Sequence, residues 1–258
     1  GGVDYYYVRN KMTLIDQPGE WCWKDLGGGQ YRLYVWPFDS GSAAGHTYEA
    51  TKLRLALIDW QGCSNIIFDG LEVRHSNALV AVGQASQGAP SSDITIQNCT
   101  VHHNKHFGVQ MSHVTRGILR NSLIVNHGYG IVIAFGCTDI AIVQNEIAWN
   151  WEEDGLTVDD YVTNLYVENN YIHHHCQWGH PDSYQVFNYC ENINFENNLT
   201  LCGFQAGLIQ NTNGITFENN ICLGTALGGA QIGLGATNSV LNHNVFALAG
   251  YGPVSLGT

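Results

Sequence analysis

After Arg120 the sequence contains no lysine and no arginine: residues 1–120 hold ten acids and all ten basic residues, whereas residues 121–258 hold twelve acids and none. A surface without fixed cations is a poor host for nucleic acid, for anionic membranes and for polyuronates or sulfated glycans. Neutral ligands or bound cations are favoured instead. Long apolar runs are missing too, because Gly, Asn and polar residues interrupt each one, so no transmembrane helix is predicted. The eight cysteines form no CxxC pair and no small-secreted-domain spacing, which argues against a zinc knuckle or a dense disulfide framework and predicts buried thiols. The opening residues have neither a charged n-region nor an apolar h-region and read as a mature, trimmed or excised start. With 258 residues the chain can bury a substantial core, and one elongated domain is expected.

What is present divides at about residue 52. Residues 1–60 hold four of the seven tryptophans, and the run from Glu20 to Pro37 is two alternating aromatic stretches around a Gly-rich turn, a hairpin signal. Residues 1–52 are therefore read as a β-rich capping segment and 53–258 as the main body.

A period sets the fold of that body. Its unit is two alternating apolar residues, a polar residue and Asn, as in Ile94-Thr-Ile-Gln-Asn98, Leu165-Tyr-Val-Glu-Asn169, Ile193-Asn-Phe-Glu-Asn197 and Ile215-Thr-Phe-Glu-Asn219. Counting from Asp69 through Asn98, Asn121, Asn145, Asn169, Asn197 and Asn219 to His243, the spacings are 29, 23, 24, 24, 28, 22 and 24. Strand-length segments at that period, with Gly at turns and Asn at one corner, predict an all-β, right-handed parallel β-helix of about 7–9 coils. The Leu-x-x-Leu-x-Leu frame of a leucine-rich repeat is absent. The Asn residues are read as a structural ladder at one corner. The longer spacings place insertions at 84–91 and around His173–Pro181.

A second strand follows each corner, and the residue before its glycine forms a column read as Phe107, Tyr129, Asp154, Asp182, Ala206. The two acids lie in Trp149-Asn-Trp-Glu-Glu-Asp-Gly-Leu-Thr-Val158 and in its echo Gly179-His-Pro-Asp-Ser-Tyr-Gln-Val186, at equivalent places on successive coils.

The ladder and coil length resemble the pectin-lyase-like right-handed β-helix superfamily, and Pro18-Gly-Glu-Trp with Leu33-Tyr-Val-Trp-Pro37 is similar to a segment that precedes the helix in many bacterial carbohydrate-active members. Within it, polygalacturonase-like hydrolases carry an Asp-Gly-apolar strand start with one catalytic Asp, which Asp154-Gly-Leu matches, and further acids on the adjacent coil, where Asp182 lies. The Gly-His-Gly and Arg-x-Lys elements of polygalacturonases are absent after Asp182. The resemblance implies a secreted, carbohydrate-active enzyme, and the departures argue against a uronic-acid substrate.

Hydrolysis of a glycosidic bond needs one carboxyl that stays protonated and one that is ionised. Coils about 4.8 Å apart bring two carboxyls close enough to separate their pKa values. The expected catalytic set is Asp154, Asp182, His180 and Glu153. The expected substrate-binding set is Glu152, Trp151, Trp178, Tyr129, Gln185, Asp159, Tyr161 and His127. No cofactor is required, no metal ligands are assigned, and Asp159 with Asp160 offers oxygens suited to Ca2+. The His102–His106 and His173–His175 runs read as polar turns. A glycoside hydrolase acting on a neutral or weakly charged glycan is the first reading, a polysaccharide lyase with His180 as base the second, and a non-catalytic spike, adhesin or fibre subunit the third. The partner is carbohydrate, neither nucleic acid nor membrane, and the unpaired edge of the last coil predicts end-to-end association or continuation into a longer chain.

Overall fold

A computed structural model describes residues 7–8, 13, 15–28, 30–48, 56–84, 88–175, 180–233, 235–250 and 252–256. The chain divides into two compact units, Gly1–Ala50 and Thr51–Thr258. In the first, Glu20–Gly27 and Gln30–Val35 form the antiparallel hairpin, with Trp21 opposite Val35 and Lys24 opposite Arg32, and Tyr7–Val8 adds in parallel to the first strand.

The second unit is a parallel β-helix of three eight-stranded sheets. One sheet holds the longer strands, from Ser64–Asp69 to Val240–Asn242; a second holds three-residue strands, from Glu72–Arg74 to Val245–Ala247; a third runs from Val80–Gly83 to Gly252–Leu256. Each coil visits all three in order, so every strand pairs with its equivalent one coil away. The alternating apolar positions of the long strands all point inward. They form continuous columns, Ile96, Leu119, Ile142, Val167, Phe195 and Phe217 being one of them. All six are buried, and the Phe195 and Phe217 rings stack at 4.7 Å. The seven described cysteines are free thiols; five are buried, Cys202 is half-buried and Cys63 is exposed.

A parallel coil satisfies its strands by pairing but leaves corner N–H groups pointing into the interior, where each must find an acceptor. At the corner after the long strand the structure departs by one residue from the expected frame. Asn98, Asn121, Gln144, Asn169, Asn197, Asn219 and His243 have φ between 50° and 57°, the left-handed turn that Asn tolerates best. The stacked amides lie one position later. Asn170 Oδ1 accepts from Asn145 N (2.9 Å), Asn198 Oδ1 from Asn170 N (2.9 Å), Asn220 Oδ1 from Asn198 N (2.9 Å) and Asn244 Oδ1 from Asn220 N (2.9 Å). Ser122 Oγ serves Cys99 N in the same way, at 3.1 Å. Of the residues first read as the ladder, Asn145 alone belongs to it. The Asn-Asn pairs at 169–170, 197–198 and 219–220 hide the shift, since both positions favour Asn for different reasons.

A second ladder, which the sequence reading did not foresee, occupies the corner before the third sheet and alternates Asn with His. Asn104 Oδ1 accepts from Ser76 N (2.7 Å), His127 Nδ1 from Asn104 N (3.4 Å), Asn150 Oδ1 from His127 N (3.2 Å) and His175 Nδ1 from Asn150 N (3.4 Å). Burial pushes both imidazoles down to about 3, so they are neutral, and His127 donates from Nε2 to Val101 O (3.0 Å). These rings lie directly under the strand-start glycines: a Cβ on Gly108 would sit 2.5 Å from His127, one on Gly130 2.4 Å from Asn150, and one on Gly155 2.7 Å from His175.

The ladder frame has a direct test. Asn170→Ala leaves the Asn145 N–H without its acceptor and should cost about 1–3 kcal/mol, whereas Asn169→Gly occupies a left-handed position that glycine adopts freely and should be neutral or slightly stabilising. Thermal melts of the two variants check the order, and equal losses would place the ladder elsewhere.

Candidate active site

The turn that enters the third sheet carries the candidate chemistry. Tyr129 lies opposite Phe107, and the pairing of Ile131 with Leu156 and of Leu156 with Tyr184 sets Asp154 over Tyr129 and Asp182 over Asp154. The next pairing, Tyr184 with Gly207, makes Gln205 the successor of Asp182. Ala206, expected in this column, is one residue out of register. Its glycine imitates the strand-start pattern, but Gly207 takes an inward place, where a Cβ would lie 3.3 Å from the Phe217 ring.

The two carboxyls are together, as the period implied, but not on the rim: both residues have no exposed surface. Each uses one oxygen as a ladder residue would. Asp154 Oδ1 accepts from Asp182 N and Asp182 Oδ1 from Gln205 N, both at 3.0 Å. Their second oxygens differ. Asp154 Oδ2 accepts from Thr157 Oγ1 at 2.8 Å. Asp182 Oδ2 receives no aligned hydrogen bond and has His180 Nδ1 2.9 Å away. The His180 side chain is 41% exposed, its Nε2 lies 3.2 Å from Gln205 Nε2, and its ring meets Phe204 at 4.8 Å.

Burial raises the Asp154 carboxyl to about 7, helped by the charge of Glu153 and opposed by the Thr157 hydroxyl and the Asp182 N–H. Asp182 goes higher, to about 9, because burial is joined by the charge of Asp154 and then of Glu153, which the contacts from Gln205 only partly offset. Asp182 is therefore the group that keeps its proton at neutral pH. Glu152 and Glu153 are half-buried beside the pair, and Tyr129, half-buried, is pushed up to about 12 by burial and by Glu153, Asp154 and Glu152. His106 stacks on Tyr129 at 5.2 Å and 6°; burial lowers it, and the Glu152 charge acts the other way.

The fold thus gathers Asp154, Asp182, His180, Glu153, Glu152 and Tyr129 at one corner, with Trp151 38% exposed on the adjoining turn. It adds Thr157 and Gln205, neither of them an expected site residue. Gln185 is half-buried on the outer face of its strand. Asp159 and Tyr161 stand past the other end of Leu156–Val158, away from the carboxyl pair. Burial and Asp160 push Asp159 up to about 6, while the Asn188 amide donates to both acids. His127, expected to bind substrate, is instead a fully buried ladder residue whose two ring nitrogens both face backbone, so it has no face to offer. Trp178 lies outside the described residues. Among the described residues, no group of three or more His, Cys, Asp or Glu side chains is arranged to hold a metal ion.

Residues 58–147 match the family described as "Right handed beta helix region". Comparison with curated proteins returns no match. Among solved structures, the A-module of the mannuronan C-5 epimerase AlgE4 from Azotobacter vinelandii is similar with 12% identity and a TM-score of 0.42, over 76% of this chain and 64% of that one. The AlgE6 A-module from the same organism has 14% identity and a TM-score of 0.36 over 70% of this chain and 64% of that one. The catalytic domain of a GH87 alpha-1,3-glucanase in complex with tetrasaccharides has 13% identity and a TM-score of 0.22 over 75% and 60%. The chain spans less than two thirds of the length of each. The fold is a parallel β-helix.

Protonation of Asp182 is measurable through stability. The unfolded chain releases this proton near 3.8, the ordinary value for Asp, and the folded protein only near 9, so between those pH values the folded state binds more protons and stability falls as pH rises. Asp182→Asn mimics the protonated acid and removes the dependence. Its melting temperature should match the parent at about pH 4 and exceed it increasingly toward about pH 8. A parent–variant difference that is constant with pH would mean that Asp182 is ionised in the folded protein.

Proposed function

We propose that the protein is a glycan-cleaving enzyme, and that its reaction is hydrolysis of a glycosidic bond in a neutral or weakly charged polysaccharide. The observation that carries this reading is the buried, stacked pair Asp154 and Asp182 with unequally raised pKa values, linked through His180 to solvent and flanked by Glu153. An acid held protonated at neutral pH beside carboxylates is what protonation of a leaving-group oxygen requires.

Roles follow from exposure. Asp182 is buried, so its proton reaches the glycosidic oxygen of a substrate by way of His180, whose Nδ1 lies 2.9 Å from Asp182 Oδ2 and whose ring is partly exposed, leaving His180 neutral and Asp182 ionised once the transfer is complete. Glu153, half-buried and close enough to raise both acids, takes the proton of the attacking water. Asp154 sets the balance, since its charge holds the Asp182 proton in place. Proton return from Glu153 to Asp182 closes the cycle. Tyr129 and Trp151 supply flat faces near the bond to be cut. The lack of Lys and Arg beyond Arg120 favours a substrate without regular carboxylates. No cofactor enters the scheme, and the Asp159 and Asp160 oxygens are the place for Ca2+ if one is bound.

A second reading, β-elimination from a uronate, is favoured by one feature: His180 backed by the Asp182 carboxyl is the arrangement of a base. Neutralising the uronate carboxylate would then fall to a cation from solution.

Glu153→Gln and His180→Gln should each lower turnover by about 100-fold or more with little change in melting temperature. Release of reducing ends from soluble glucans, mannans and xylans reads hydrolysis, and ultraviolet absorbance of unsaturated ends from alginate or polygalacturonate reads elimination. No turnover of any of these by the parent would sink the enzymatic reading and leave the non-catalytic rod.

A further inference from the structure

Past the other end of the Leu156–Val158 strand, two tyrosines occupy equivalent places on successive coils. Tyr161 N donates to Asn188 O (3.0 Å) and Tyr189 N to Asn211 O (2.6 Å); one coil earlier, Gly136 N donates to Asp160 O (2.8 Å) in the same way. All three residues are left-handed, with φ of 71° at Gly136, 64° at Tyr161 and 66° at Tyr189. The position suits glycine, as Gly136 illustrates. Each tyrosine also follows another left-handed residue, Asp160 at 54° and Asn188 at 57°, so two consecutive residues hold a conformation that bulky side chains rarely adopt. Burial does not compensate for this strain. The rings stack on each other at 5.4 Å and 18°, yet Tyr161 is 62% and Tyr189 63% exposed. Strain kept at an exposed aromatic pair points to a role for the side chains outside the fold itself.

Beyond Tyr189 lies a hollow of about 330 Å3, lined by Tyr189, Glu191, Asn211, Asn213 and Thr237 among others. That volume falls in the range of sites for small ligands. We propose that this hollow is a binding subsite for neutral sugar residues, separate from the carboxyl cluster, with the Tyr189 ring as its floor and Tyr161 as the support behind that ring. The proposal rests on the reading that the protein acts on glycans. A pyranose has an apolar C–H face that packs on an aromatic ring, and hydroxyls around its edge that pair with amide, carboxylate and hydroxyl groups. The hollow offers those groups in Asn211, Asn213, Glu191 and Thr237. Charge decides against an anionic sugar: Glu191 is at the hollow, Asp159 and Asp160 flank the tyrosines, and the chain has no Lys or Arg after Arg120.

The test uses affinity gel electrophoresis of the intact protein in soluble glucan, mannan and xylan, with alginate as the anionic control. The parent should be retarded by at least one neutral glycan and not by alginate. Tyr189→Phe should keep this retardation, whereas Tyr189→Gly should weaken the affinity by about tenfold or more. Because glycine is the residue Gly136 supplies at the same place, Tyr189→Gly should melt at or above the parent temperature. Retention of binding by Tyr189→Gly, or a markedly lower melting temperature with binding intact, would overturn the proposal and make the tyrosines a structural plug. Absence of retardation by all three neutral glycans would also overturn it. Turnover of short oligosaccharides, measured on the same variants, separates this outcome from failure of the catalytic reading: turnover without retardation removes the subsite alone, and loss of both in the parent removes the glycan reading itself.

Discussion

Everything in the β-helix depends on how it disposes of the backbone N–H groups at its corners. Strand pairing satisfies the three sheets, but the chain turns between sheets with N–H groups aimed into an interior that holds little else to accept them. The answer at both corners is a side chain from the next coil: Asn145, Asn170, Asn198, Asn220 and Asn244 at one, and Asn104, His127, Asn150 and His175 at the other. Each coil is thereby locked to its successor by a polar contact buried in an apolar core, where an unmade bond is most costly.

Asp154 and Asp182 perform the same task in the opposite direction, since each accepts at Oδ1 from the N–H of the following coil. Asn would perform that task without a charge. With Asp, burial raises both pKa values, the charge of Asp154 adds to the rise at Asp182, and the folded state holds a proton that the unfolded chain would lose. Stability is given up at neutral pH for a group that the ladder does not need. The second oxygen of Asp182, turned toward half-exposed His180, is where that excess chemistry faces outward. The ladder thus provides a rigid mount, and the carboxyl provides a proton held within one side chain of solvent.

Glycine in the Asp154-Gly155-Leu156 motif has a similar double reading. It matches a catalytic strand start by pattern, yet Gly108, Gly130 and Gly155 all sit over a ladder side chain with no room for a Cβ. Packing alone accounts for the glycine, so its presence after Asp154 carries no catalytic information. The tyrosines present the reverse case: Tyr161 and Tyr189 occupy a place where backbone conformation favours glycine although packing leaves room for a side chain, as the open space around Gly136 shows.

The period, the parallel β-helix, its eight coils, the N-terminal hairpin and the stacking of Asp154 on Asp182 were all legible in the sequence. Alternating apolar residues at a fixed spacing leave little choice of which face is inside or which coils are neighbours. Single-residue frames were not legible. The Asn ladder and the Ala206 column were each read one place out, because Asn-Asn pairs and repeated X-Gly steps satisfy the pattern in two registers and only backbone pairing chooses between them. The exposure of the site was likewise decided by tertiary structure. A residue before a strand reads as a rim position, but whether Asp154 and Asp182 face water, or whether His127 is a ligand or a ladder rung, depends on what the next coil lays over it. Thr157 and His180 reach their carboxyls from three and two residues away in sequence, whereas the contacts of the Asp182 N–H with Asp154 and of Gln205 with Asp182 and His180 join coils 23 to 28 residues apart, and no local signal encodes that convergence.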